Sequence, residues 1–188
     1  MEDPSDGISA LWRRLDMPGH EAVRIYEGDD GWILDGASVF SYKGKPCRLE
    51  YLIECDPDWK TSIVTVDGFV GHEVVAIEIE SENGVWYVNG EEVGDVERAI
   101  DIDLNFSPVT NLLPIRRSNL AVGDEAAVRA AWLRFPSFKL ETLEQIYTRT
   151  GESIYTYRSS TGLEKAITVD EFGLVAEYAD FWVREVEE

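Results

Sequence analysis

The 188-residue chain carries 37 acidic and 17 basic residues, a net charge of −20 at pH 7. Such an excess of acid repels nucleic-acid phosphates and anionic lipid surfaces, which excludes binding driven by counterion release. The composition, 44% hydrophobic and 11% aromatic with six Trp, is that of a globular protein and not of a disordered one. The length predicts a single domain over residues 1–188.

The chain opens "MEDPSDGISALWRRLD", with acids where a signal peptide has a basic region. No apolar run approaches the roughly 20 residues of a membrane span. These features predict a cytoplasmic protein with no stable membrane insertion. Lys is scarce, five against twelve Arg, and with the acidic surface this predicts a halophilic protein that stays soluble in concentrated salt.

Taken in chain order, "SALWRRLDM" is expected to form a short helix. Period-two alternation rich in Val, Ile, Tyr, Phe and Trp then predicts strands at 22–27, 32–42, 46–56, 61–67, 73–81, 85–88, 99–104 and 116–120. Cys47 and Cys55 lie eight positions apart in one of these strands. At about 3.3 Å per residue that separation is on the order of 26 Å, so both are expected to be reduced core thiols. In "ENGVWYVNGEE" two Asn-Gly pairs bracket a four-residue strand, the signature of tight antiparallel hairpins.

The next segment, "GDEAAVRAAWLRFP", predicts the main helix. Asp124 stands as N-cap, Pro136 as stop, and Val128, Ala131, Trp132 and Phe135 share one face. Strands follow at 139–150, 153–158, 164–169 and 181–186. The expected fold is mainly β: a strongly curved antiparallel sheet, an open or spiral barrel, wrapped around one buried α-helix. Such an interior is either filled by side chains or open to an apolar ligand.

The stretch "DIDLNFSPVTNLLPIRR" from Asp101 to Arg117 concentrates the polar chemistry. It begins like a calcium loop, but Phe106 stands where Gly is needed and Leu112 where a bidentate Glu belongs. Two His and two Cys give no zinc site, and no GxSxG, P-loop or GxGxxG motif occurs, so neither metal nor cofactor is implied. Asp101 and Asp103 share a strand face at a spacing that acid pairs in glycoside hydrolysis can have. On an extended segment Arg116 and Arg117 point to opposite faces. One of them is expected to clamp Asp101 or Asp103 at a sheet corner. Alternatively, an Arg joins Thr110 and Asn111 in binding a sugar or anionic head group.

With "AWLRFP", "QIYTR", "YTY" and "VDEFGLVAEYADFWVR", the same stretch resembles the glycolipid-binding family of small bacterial and archaeal proteins, over nearly the whole chain. The resemblance implies a curved sheet around a helix, similar to the bacterial lipoprotein-localisation carriers whose concave side holds acyl chains. It implies a ligand surface of Asp103, Thr110, Asn111, Arg116 and Arg117. Gln145, Tyr147 and Arg149 alternate along a later strand face, and Trp59, Trp86, Trp132 and Tyr155 are candidate walls. The leading expectation is a non-enzymatic protein binding an amphipathic small molecule or glycolipid, its acyl part between sheet and helix. The competing expectations are an enzyme on carbohydrate or lipid conjugates using Asp101 or Asp103, and an interaction module with a filled core.

Overall fold

The computed structural model describes residues 7–187. Fifteen strands follow in chain order: β1 (Ile8–Arg14), β2 (Gly19–Gly28), β3 (Gly31–Tyr42), β4 (Lys45–Cys55), β5 (Thr61–Val70), β6 (Glu73–Glu82), β7 (Val85–Val88), β8 (Glu91–Glu92), β9 (Asp101–Leu104), β10 (Glu125–Arg134), β11 (Lys139–Gly151), β12 (Ile154–Ser159), β13 (Glu164–Val169), β14 (Val175–Tyr178) and β15 (Trp182–Glu187). They make one sheet, ordered β8 back to β1 and then β15 back to β9. Every neighbouring pair is antiparallel except β9 and β10, which are parallel. Strand β1 joins the two halves, pairing with β2 on one side and β15 on the other.

Local sequence explains most of the turns. Asn83-Gly84 and Asn89-Gly90 both take positive φ at each residue, the geometry of a two-residue hairpin whose twist matches the strands. The sheet curves until the segment before β9 meets β5 and β7, but it does not close. Instead, the Thr61 amide donates to Ile100 O, Thr61 Oγ1 accepts from the Ile102 amide, and Trp86 Nε1 donates to Ala99 O. Trp86, one of the candidate ligand walls, is therefore a buried core residue at this seam.

Two expected helices are strands. "SALWRRLDM" contributes β1, and Trp12 is buried there with its indole donating to Val175 O at 2.8 Å. The segment expected to be the main helix is β10. Strand β10 lies beside β9 and is covered on both faces. Ala131 and Leu133 join Ile102, Leu104 and residues of β3 to β7 in the main core, while Val128 belongs to a second cluster with Tyr147, Tyr157 and Ile167. A strand covered on both faces has no reason to alternate, so its apolar run imitated a helical stripe.

The buried helix is α1 (Leu112–Ser118), where a strand at 116–120 was expected. Pro114 falls in its first turn, where a missing amide costs nothing. Arg116 and Arg117 lie in its last turn, and Asn119 caps it in the left-handed conformation, its amide donating to Ile115 O. A 3-10 turn at Val109–Asn111 leads into it. Val109, Leu112 and Leu113 are fully buried in the main core and Ile115 in the second cluster, so the helix fills the concave side of the sheet. Cys47 and Cys55 are free, buried thiols, as β4 predicts; burial pushes Cys55 up to about 12.

Candidate functional site

Where α1 begins, the concave face keeps a cavity of about 300 Å³. Asp103 from β9 and Trp132 from β10 are register partners on its wall, joined by Asn111 at the helix entry. Behind them β11 supplies Gln145 and Tyr147. Gln145 Nε2 donates to Asp103 Oδ2 at 2.6 Å and to the Tyr157 hydroxyl at 3.2 Å. The Tyr147 hydroxyl donates to Asn111 Oδ1 at 2.9 Å, and Asn111 Nδ2 donates to Pro108 O. Tyr42, Phe135, Phe181 and Trp182 also line the cavity. Arg14 lies between the Phe40 and Trp182 rings, 4.8 and 4.7 Å from their centroids, and is held by Asp16.

Loss of water pushes Asp103 up to about 6, although the Gln145 amide pulls it down. Burial also raises the Tyr147, Tyr157 and Tyr178 hydroxyls, so these phenols stay neutral donors. Beside the cavity lies a second buried carboxyl, Glu21 of β2. Its Oε1 accepts from Tyr51 at 2.7 Å and from Ser107 at 2.5 Å, while Oε2 is buried with no partner. Ser38, its cross-strand neighbour, has a buried hydroxyl in the same condition. Burial pushes Glu21 up to about 7, opposed chiefly by the Ser107 and Tyr51 hydrogen bonds.

The eleven expected ligand residues do not form one site. Asp103, Asn111 and Trp132 line the interior cavity, with Gln145 and Tyr147 behind them, bonded to Asp103 and Asn111. Thr110 is a backbone strut whose Oγ1 accepts from the Leu104 amide. Arg117 forms the expected clamp, with Nε at 3.1 Å and Nη2 at 2.5 Å from the two oxygens of buried Asp101. Burial raises the Asp101 carboxyl even beside this guanidinium. Asp101 is thereby engaged by Arg117 and, unlike its strand-face neighbour Asp103, does not line the cavity. Trp59 is buried and stacks on Trp32, ring centroids 4.4 Å apart.

Arg116, Arg149 and Tyr155 line a different cavity, of about 350 Å³. The split follows from α1 being a helix. Five residues from Asn111 to Arg116 turn the chain by about 140° and advance it about 7.5 Å. Along β11 the shared face runs from Gln145 and Tyr147, behind the wall of one cavity, to Arg149 at the other.

Sequence reasoning passed over Glu21, Tyr51, Ser107, Arg14 and Tyr157. A signal for Glu21 was present: it shares strand parity with buried Val23 and Ile25, so an acid stood at an inward-facing position. Among the described residues no group of three or more His, Cys, Asp or Glu side chains is placed to hold a metal. Among the described residues no helix is long and apolar enough to cross a membrane. A wider depression of about 670 Å³ lies on the outer face over Leu11, Ala22 and Ala37, away from the buried polar groups.

The family described as "Putative glycolipid-binding" matches residues 9–184. The chain belongs to this family. Among solved structures, a DUF1089 family protein from Pseudomonas aeruginosa superposes with a TM-score of 0.73 at 28% identity, covering 98% of this chain and 95% of that one. A beta-barrel-like protein of the domain of unknown function DUF1849 from Brucella abortus superposes with a TM-score of 0.58 at 11% identity, covering 95% and 94%, a likeness of fold alone. No curated protein matches the chain significantly. In this member of the glycolipid-binding family, the run from Asp101 to Arg117 supplies β9, the 3-10 turn and α1, and so reaches both cavities.

Proposed function

We propose that the chain binds the sugar-bearing head of an amphipathic ligand in the interior cavity, without catalysing its conversion. The observation that carries this reading is the meeting of Asp103 and Asn111 with the ring of Trp132 in one space of about 300 Å³. A carboxylate accepts from paired hydroxyls, and an aromatic face takes the apolar side of a sugar ring. Leu112 and Leu113 are fully buried against the sheet, which favours an acyl part held away from the helix–sheet contact. In this reading the acyl part leaves through the mouth beside Met17 and Phe181.

Magnitudes favour weak capture of the head alone. About 150 Å² of apolar contact contributes about 4 kcal/mol, and two hydrogen bonds to a charged partner add about 4. Against an association cost of about 4 kcal/mol or more, the remainder corresponds to millimolar affinity. Tight binding then needs the rest of the lipid.

The test is native mass spectrometry of gently purified protein with organic extraction, followed by calorimetric titration with monomeric short-chain glycosides. A stoichiometric glycolipid, and saturable glycoside binding weakened at least tenfold by Trp132→Ala, is the expected result. A clean mass together with no saturable glycoside binding would overturn the reading.

A further inference from the structure

The second cavity stands apart from the one just assigned and rests on none of that reading. Nine of the twelve arginines have a carboxylate oxygen within 4.0 Å. Among the described residues Arg98, Arg116 and Arg149 have none, and two of these three converge on one cavity of about 350 Å³. In a chain of net charge −20, two uncompensated guanidinium groups facing the same space are an exception that needs a reason.

Their bonds do not supply the missing charge. Arg116 Nη1 donates to Phe172 O at 3.2 Å, its Nε is buried with no partner, and its guanidinium lies 4.6 Å from the Phe172 ring centroid. Among the described residues Arg149 donates only to main-chain carbonyls, those of Leu120 and Glu152. Carbonyl groups fix the position of both forks but leave a charge of +2. Two acids border the cavity. Asp170 is fully engaged, its Oδ1 accepting from the Gly173 and Leu174 amides and its Oδ2 from Arg184 at 2.6 Å. Glu171 is exposed.

We propose that this cavity is an anion site that takes a phosphoryl group, gripped by Arg116 and Arg149. A planar guanidinium offers paired N–H donors that match two oxygens of a tetrahedral anion, and two such groups balance a dianion. Exposed Glu171 weakens the site by repelling the bound anion, a repulsion that salt screens.

The experiment is a titration of the full chain with inorganic phosphate, with chloride holding ionic strength constant, read on the arginine Nε–Hε resonances by NMR. Saturable shifts at Arg116 and Arg149 in the millimolar range are expected. Arg116→Gln weakens binding at least tenfold. Glu171→Gln, a surface change that leaves the fold intact, tightens it about threefold, an effect that a merely structural Arg116 would not produce. Glycerol phosphate separates the sources: equal affinity assigns the free anion, and a tenfold gain assigns a lipid-type head group. Absence of saturation, or one unchanged affinity in both variants, overturns the proposal. Trp132→Ala leaves these shifts in place, so failure here and failure of the sugar-binding reading are told apart.

Discussion

At the scale of single residues, the group with the largest leverage is Glu21. A carboxyl group sealed among Tyr51, Ser107 and Ser38 keeps its proton because the charged form has lost its water. In the neutral state its Oε2 hydroxyl can donate to Ser38 Oγ, which gives both buried, unpartnered atoms a bond. The sign of the pH effect follows. The folded chain holds this proton up to about pH 7, whereas the unfolded chain releases it near 4.5. Stability from this group is complete at low pH, falls as pH rises between those values and is flat above them. The shift corresponds to roughly 3 kcal/mol. Urea unfolding of the native sequence at pH 5 and pH 8 is expected to show most of this group's loss, since the fall has already begun at pH 5. Glu21→Gln is neutral at every pH, so it should remove most of the difference and exceed the native sequence at pH 8. Asp103 acts with the same sign up to about pH 6 and is common to both proteins, so the comparison isolates Glu21. A variant as pH-sensitive as the native sequence would refute this account.

At the scale of elements, strand parity and turn chemistry decide what sits beside that carboxyl. Tyr51 reaches Glu21 across β3 because β3 has Gly36 directly opposite it, and a Cβ at Gly36 would collide with the phenol ring. Gly36→Ala therefore overpacks the core and displaces the Tyr51 hydroxyl together. We expect a loss of about 2 kcal/mol or more by chemical denaturation. Ala at Gly44 meets no neighbour and tests only the turn's positive φ, so it serves as a control of smaller effect. An equal effect at both positions would show that the contact with Tyr51 is not what Gly36 provides. The short α1 belongs to the same scale: alone it is too brief to persist, and burial of Leu112 and Leu113 holds it.

At the scale of the whole molecule, surface charge dominates. Twenty uncompensated negative charges repel one another across a sheet that curves almost onto itself. The screening length falls from about 30 Å at 0.01 M to about 3 Å at 1 M salt. Relief of several kcal/mol corresponds to a melting temperature about 10 °C higher in molar potassium chloride than in dilute buffer. Scanning calorimetry across that range checks it, and a flat dependence would remove the case for a chain suited to concentrated salt.

What the sequence determined by itself was local: hairpins at Asn-Gly pairs, alternating strands such as β3 and β13, and an Arg–Asp clamp in the run from Asp101 to Arg117. These rest on backbone φ preference, side-chain parity and charge, all of which act over a few residues or between adjacent elements. The tertiary structure alone decided the rest. Strand β10 lost its alternation because β9 and β10 are covered on both faces, a fact set by strands up to a hundred residues away. Arg116 and Arg117 parted because "LLPIRR" became a helix once its leucines had a concave sheet to fill. Asp103 and Gln145 are neighbours only through the β9–β10–β11 register, and Glu21 and Ser107 only through curvature, so distant segments set their protonation and their chemistry.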